Sequence, residues 1–326
     1  MKRRRFCAAT AVLASLAYAG VSRAQSKPVV IGWLNAGSRE SSGHLLVALK
    51  EGLASYGWKE GAQYVIEERW AAARMGQLTM LAEQLAAAKP AIIVAAPSQA
   101  VAAASKAAPT TPVVHATGAD PVVTGLVKSL ARPGGMITGM SNVVGNTTEK
   151  LLEVLLAAAP KVRRVGFLLD ATNLARAFLM ETARRSAASY SIDARFAEVG
   201  TAEEIEPALA RFAKEGVQAL IAVASPLLLT ERRLVIRLAT AQRWPVVGWA
   251  REWPEDGALL SYGVDTTANY RRSAYFVDRI LKGAKPGDLP IEQPTKIEMI
   301  LNKKTAHALG LTLPQTILLQ ADRVIE

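Results

Sequence analysis

The chain has 326 residues, half of them hydrophobic, with 39 Lys+Arg against 28 Asp+Glu and a formal charge of +11 at pH 7. At this length a large core can supply stability without disulfides, and the single cysteine, Cys7, offers none. The basic excess does not support nucleic-acid binding, because Arg163-Arg164, Arg184-Arg185, Arg232-Arg233 and Arg271-Arg272 are scattered pairs rather than a patch interleaved with aromatics.

Residues 1–24 read as an export signal. Lys2-Arg3-Arg4-Arg5 is a basic start, Phe6 to Gly20 an apolar run, and Ser22 and Ala24 are the small residues that a signal peptidase reads. Cleavage is expected after Ala24, giving a periplasmic protein that begins at Gln25. Arg3-Arg4-Arg5-Phe6 leaves both the Sec and the twin-arginine routes open. Cys7 lies too early, and without a lipobox, to carry a lipid. Loss of the segment leaves 34 basic residues against 28 acidic, a formal +6. No later stretch approaches about 18 uninterrupted apolar residues, so no membrane span is expected.

From Pro28 onward, apolar strands alternate with amphipathic helices. Strands are predicted at 29–34, 64–70, 91–96 and 112–115, with helices at 43–56, 77–88 and 98–107 between them. Asp120-Pro121 reads as N-cap and first residue of a short helix that closes at Arg132-Pro133-Gly134-Gly135, before a strand at 136–141. The rhythm then repeats. Helices are predicted at 147–159, 174–189, 202–215 and 227–242, and strands at 162–169, 192–199, 219–224 and 245–248. Buried strands separated by helices imply βαβ units and two parallel sheets of about five strands each. A helix at 266–282 and a strand at 297–302 follow a completed second half, so the chain is expected to cross back and finish the first lobe. Gly263 and the stretch Ser141–Gly145 are the predicted crossovers, and a hinge between lobes is the use of such a build.

Motifs for catalysis are missing. His44, His115 and His307 have no His or Cys at metal-ligand spacing, and no Gly-x-Ser-x-Gly, Walker or Gly-x-Gly-x-x-Gly motif occurs. His115, at the end of an apolar strand, reads as a packed core residue. Neither metal nor cofactor is expected. A binding cleft needs less: ligands of parallel sheets lie beyond the carboxyl ends of the strands. Those ends, with the acidic residues near them, nominate Asn35, Ser38, Ser98, Gln99, Thr117, Asp120, Ser225, Trp249, Glu252 and Asp265 as ligand-binding residues. Asp120 is the first candidate to hold a ligand ammonium, with Asp265 and Glu252 as the others, and Ser98 and Thr117 are expected to help hold a carboxylate. Several of these residues also serve as helix caps. Trp33, Trp249, Trp253 and Tyr262 could wall the site.

Asp120-Pro121, Ser129-Leu130-Ala131-Arg132-Pro133-Gly134-Gly135 and Ile137-Thr138-Gly139 resemble the ABC transporter substrate-binding protein family of type I periplasmic fold. The resemblance continues through residues 161–169, 260–265, 280–295, 308–312 and 321–326, which is nearly the whole mature chain. Met136 departs from the pattern, since an Asn commonly follows the two glycines. The resemblance implies an α/β fold of two Rossmann-like lobes with parallel sheets joined by a multi-strand hinge. The expected division is 28–141 plus 264–296 for the N-terminal lobe and 142–263 for the C-terminal lobe, with 297–326 packing at the lobes or hinge. It also implies the periplasmic component of an ABC importer, which captures a small amino-acid-like solute and presents it to permease and ATPase subunits. Some members resemble tryptophan- or tyrosine-type binders. A monomer that does not itself cross the membrane, binds no nucleic acid and catalyses no reaction is expected. The alternative is a periplasmic hydrolase or isomerase on the same scaffold. A sugar-type repressor is set aside, because no helix-turn-helix precedes Val29.

Overall fold

The computed structural model describes residues 27–142, 144–294 and 296–326, with 144–146 described by backbone alone. The signal-like residues 1–24, and Val143 within the expected crossover, lie outside the described residues.

Near-continuous apolar runs become the central strands, because a parallel sheet is covered on both faces. In the first half, β1 (Val29–Asn35), α1 (Arg39–Ser55), β2 (Tyr64–Trp70), α2 (Leu78–Ala87), β3 (Ile92–Ala96), α3 (Ser98–Ala107), β4 (Val113–His115) and β5 (Ile137–Gly139) alternate. They form a parallel sheet of order β2-β1-β3-β4-β5, and every residue of β3 and β4 is buried. In the second half come α4 (Val144–Ala158), β6 (Arg164–Asp170), α5 (Arg176–Ser189), β7 (Asp193–Val199), α6 (Ile205–Lys214) and β8 (Ala219–Ala222). They are followed by α7 (Pro226–Thr230), α8 (Arg232–Ala241), β9 (Val246–Gly248), α9 (Glu252–Glu255), β10 (Leu260–Val264) and α10 (Thr266–Leu281). The chain closes with β11 (Ile297–Asn302), α11 (Lys303–Ala308), α12 (Gln315–Gln320) and β12 (Arg323–Ile325). The second sheet has the order β12-β11-β10-β9-β8-β6-β7. Its run β7-β6-β8-β9-β10 repeats the connectivity of the first sheet.

Each sheet is a sandwich filling. On the first, Leu45, Leu49 and Leu53 of α1 pack with Ala274 and Val277 of α10 on one face, while Ala82, Leu85, Val101 and Ala104 of α2 and α3 pack on the other. On the second, α4 and α5 cover one face and α6 and α8 the other, where Trp253 is fully buried.

Three expectations are corrected. The helix after Asp120 is a short run of turns. Leu126 and Val127 both donate to the Pro121 carbonyl, and Gly125 takes a positive φ of 73°, which ends the coil after one turn. The helix predicted at 227–242 breaks at Glu231, whose φ of −92° and ψ of 13° separate α7 from α8. The break lets Leu227 and Leu228 enter the same core as Val235, Ile236 and Ala239. The returning chain also behaves differently from the prediction. Helix α10 packs on the first sheet, but strand 297–302 joins the second, pairing antiparallel to β10 through Leu260–Leu301 and Val264–Ile297.

The chain therefore passes between lobes three times: between β5 and α4, between β10 and α10, and again before β11. At the last crossing Ser141 N donates to Glu292 O at 2.8 Å, and Thr138 Oγ1 donates to Leu289 O at 2.8 Å. These bonds tie two connecting segments side by side.

Candidate functional site

In each sheet the strand order reverses between one pair of strands, β1 and β3 in the first and β6 and β8 in the second, and such switch points open a crevice at the carboxyl ends. The two crevices face each other across a cavity of about 140 Å³ lined from both lobes. From the first lobe come Asn35 at the end of β1, Ser98 and Gln99 beyond β3, and Thr117 beyond β4. From the second come Asn173 beyond β6, Ser225 beyond β8, and Trp249 and Glu252 beyond β9. Leu45, Leu151, Leu179 and Leu229 add apolar wall.

Seven of the ten residues nominated from sequence thus meet in one cavity: Asn35, Ser98, Gln99, Thr117, Ser225, Trp249 and Glu252. Ser38, Asp120 and Asp265 do not line it, because each is occupied in local structure. Ser38 caps α1, with its side chain accepting from Ser41 N at 3.0 Å. Asp265 caps α10 through Ala268 N at 3.0 Å and lies 3.3 Å from Arg251. Asp120 Oδ1 accepts from Val122 N at 2.8 Å and holds the turn. Asn performs that capping role nearly as well, so Asp120→Asn is expected to keep ligand affinity within about twofold in a calorimetric titration. A tenfold loss would return Asp120 to the site.

Among the described residues, Glu252 is the one acidic residue in the lining. Its Oε1 lies 3.3 Å from His44 Nε2, reached from the other lobe, while Oε2 is buried with no hydrogen-bond partner among the described residues. Burial by itself would raise this carboxyl. The hydrogen bonds from His44 and from its own backbone, with the nearby charges of His44 and Arg232, outweigh burial and hold it below the usual range. The group is therefore an ionised carboxylate with one unmet oxygen. Trp249 Nε1 is likewise buried without an acceptor.

The remaining polar groups are held in place. Asp170, at the end of β6, accepts from Thr172 N at 2.8 Å and from Ser225 Oγ at 2.7 Å, which fixes both sides of the second crevice. Gln99 Nε2 donates to Thr172 O at 3.0 Å, a second bond that spans the cleft. Thr117 Oγ1 donates to Asn142 Oδ1 at 3.1 Å, which also accepts from Asn269 Nδ2 at 3.1 Å. His115 is fully buried beneath the site, and burial drives its pKa down to about 4 against weaker opposing contacts from the Thr117 and Met140 backbones. It is a neutral core residue. Trp33 and Trp253 are also core, whereas Trp249 is wall.

Asn142 and Tyr270 line the cavity without having been picked out from sequence, and Asn173, at a strand end, was not carried into the nominated set. Asn173 was legible, since it follows β6 just as Gln99 follows β3. Asn142 lies in a crossover and Tyr270 on a helix packed against the first sheet, and neither position carries a local signal. Among the described residues no group of three or more His, Cys, Asp or Glu is placed to hold a metal, and no helix is long and apolar enough to cross a membrane.

The architecture is that of the type I periplasmic binding proteins. The chain is similar to the ABC domain of Streptococcus pneumonia solved in complex with L-Trp, with a TM-score of 0.86, 25% identity, and coverage of 91% of this chain and 100% of the other. It also matches the ligand-free, open structure of a substrate binding protein with adhesive properties from Clostridium difficile, with a TM-score of 0.66, 22% identity, and coverage of 91% and 99%. A curated relative, the tyrosine-binding protein of Clostridioides difficile (strain R20291), is 23% identical over 259 residues, which span 79% of this chain and 74% of the relative. The profile of the family described as ABC transporter substrate binding protein matches residues 38–325. The chain belongs to the ABC transporter substrate-binding protein family.

Proposed function

We propose that this protein is the exported substrate-binding component of an ABC importer. It captures a small amino-acid-like solute between its lobes, acts as a monomer, and delivers the solute chemically unchanged to a membrane permease driven by its ATPase subunits. The observation that carries the ligand class is Glu252, an ionised carboxylate with an unmet buried oxygen in a cavity otherwise walled by apolar and neutral polar side chains. A ligand ammonium satisfies that oxygen, the leucines and Trp249 take an apolar side chain, and the start of α3 at Ser98, which has no capping side chain, favours a carboxylate. The L-Trp complex and the tyrosine-binding relative support the same class.

Capture is by hinge closure. The moving bodies are residues 28–141 with 264–296, and residues 142–263 with the two C-terminal strands carried on the second sheet. The His44–Glu252 and Gln99–Thr172 contacts span the cleft, so opening must break both. Calorimetric titration with L-tryptophan and L-tyrosine, followed by recovery of the ligand, tests the reading. Intact ligand is expected, with a smaller radius of gyration by small-angle X-ray scattering at saturation. Altered ligand would point to an enzyme, and an unchanged scattering profile would remove the hinge.

A further inference from the structure

Tyr270 reaches the cavity from α10, buried to 1% exposure, with its ring 5.3 Å from that of Trp33. Its hydroxyl meets Asn35, and the direction of that hydrogen bond is fixed by a second one. Asn35 Oδ1 accepts from Gly37 N at 2.8 Å, and a backbone N–H can only donate. The amide nitrogen must therefore face Tyr270, and Nδ2 donates to the phenol oxygen at 2.9 Å. The phenol oxygen is thus an acceptor toward Asn35 and keeps its own hydrogen to give elsewhere. Among the described residues it donates to none.

We propose that Tyr270 is a specificity-determining residue of the ligand site, whose O–H donates to the carboxylate of an amino-acid ligand. The proposal rests on the amino-acid reading above. Asn35 pairs with Ala96 in the sheet, so the phenol and the uncapped start of α3 share the β1/β3 end of the first lobe. Glu252 belongs to the other lobe. The site then has two poles, donors on the first lobe and an acceptor on the second, and an α-amino acid lies across the cleft with its carboxylate on the first. Burial, only partly opposed by the Asn35 bond, keeps the phenol neutral and so a donor at any physiological pH.

Wild type and Tyr270→Phe are titrated with L-tryptophan and with tryptamine, which keeps the ring and ammonium but lacks the carboxylate. In the variant, L-tryptophan affinity is expected to fall about tenfold, and the preference for L-tryptophan over tryptamine to shrink by about the same factor. Unchanged L-tryptophan affinity overturns the proposal. So does a loss shared equally by tryptamine, which makes Tyr270 a packing residue only. Failure of wild type to bind either L-tryptophan or L-tyrosine overturns the amino-acid reading itself, and the proposal with it. Should the Phe variant not fold, Asn35→Asp gives the phenol an acceptor within the protein and so takes its hydrogen from the ligand. L-tryptophan affinity is then expected to drop by a similar factor, and retained affinity overturns the proposal.

Discussion

Glu252→Gln is expected to weaken binding of an amino-acid ligand by about ten- to a hundredfold, the range that follows from a charged hydrogen bond of roughly 1.5–3 kcal/mol. The substitution keeps the size of the side chain and its place in the wall, and removes only the charge. The unliganded protein should therefore lose only the modest stability that the ionised carboxylate draws from His44 and its backbone, while the calorimetric affinity falls about ten- to a hundredfold. The pH dependence follows from the same carboxyl. Its pKa in the folded protein lies below the ordinary value, because His44 and the backbone favour the ionised form more than burial opposes it. Its contact with a ligand ammonium needs the ionised form, so it is kept until the pH falls through this lowered value in the free folded protein. Binding through Glu252 should therefore hold from neutral pH down through the ordinary carboxylate range and fail in stronger acid. A Gln variant with wild-type affinity would remove Glu252 from the ligand.

Gly263→Ala is expected to lower both stability and affinity. A Cβ at this position of β10 would overlap the carbonyl oxygen of Trp249. The clash is with backbone, so no rotamer change relieves it, and one of the two segments must move. Overpacking of this kind costs about 1–3 kcal/mol and sometimes more. At about 2–4 °C per kcal/mol, the melting temperature should drop by several degrees. Trp249 and Val264 both line the cavity, so displacement there also disturbs the ligand wall beside the β10–α10 crossing. Gly76→Ala is the control, because a Cβ there meets nothing within 4 Å and the backbone carries no positive φ. A Gly263→Ala protein that melts and binds like the Gly76→Ala control would refute the clash.

The strands, most helices and the place of the candidate cleft were legible in the sequence. Period and apolarity are local properties, so Ile92–Ala96 or Val113–His115 can be recognised as buried strands without knowing their neighbours. The same holds for the cleft. Once strands are placed, their carboxyl ends are known, and Asn35, Ser98, Gln99, Thr117, Ser225 and Trp249 follow directly.

What remained hidden depends on partners far along the chain. Strand Ile297–Asn302 reads alike in either sheet, and its antiparallel register with Leu260–Val264 assigns it to the second. Asp120, Asp265 and Glu252 are three carboxylates near helix or turn starts, with nothing local to rank them. Packing occupies the first with Val122 N and the second with Ala268 N and Arg251, and leaves an oxygen of the third unmet. Tyr270 is an ordinary aromatic on a helix face until α10 crosses back and sets its hydroxyl against Asn35, 235 residues away. Sequence by itself determined the elements, since each follows from residues a few positions apart. Tertiary structure alone decided which polar atoms face the cleft unpaired, because hydrogen-bond satisfaction is a property of contacts between distant segments.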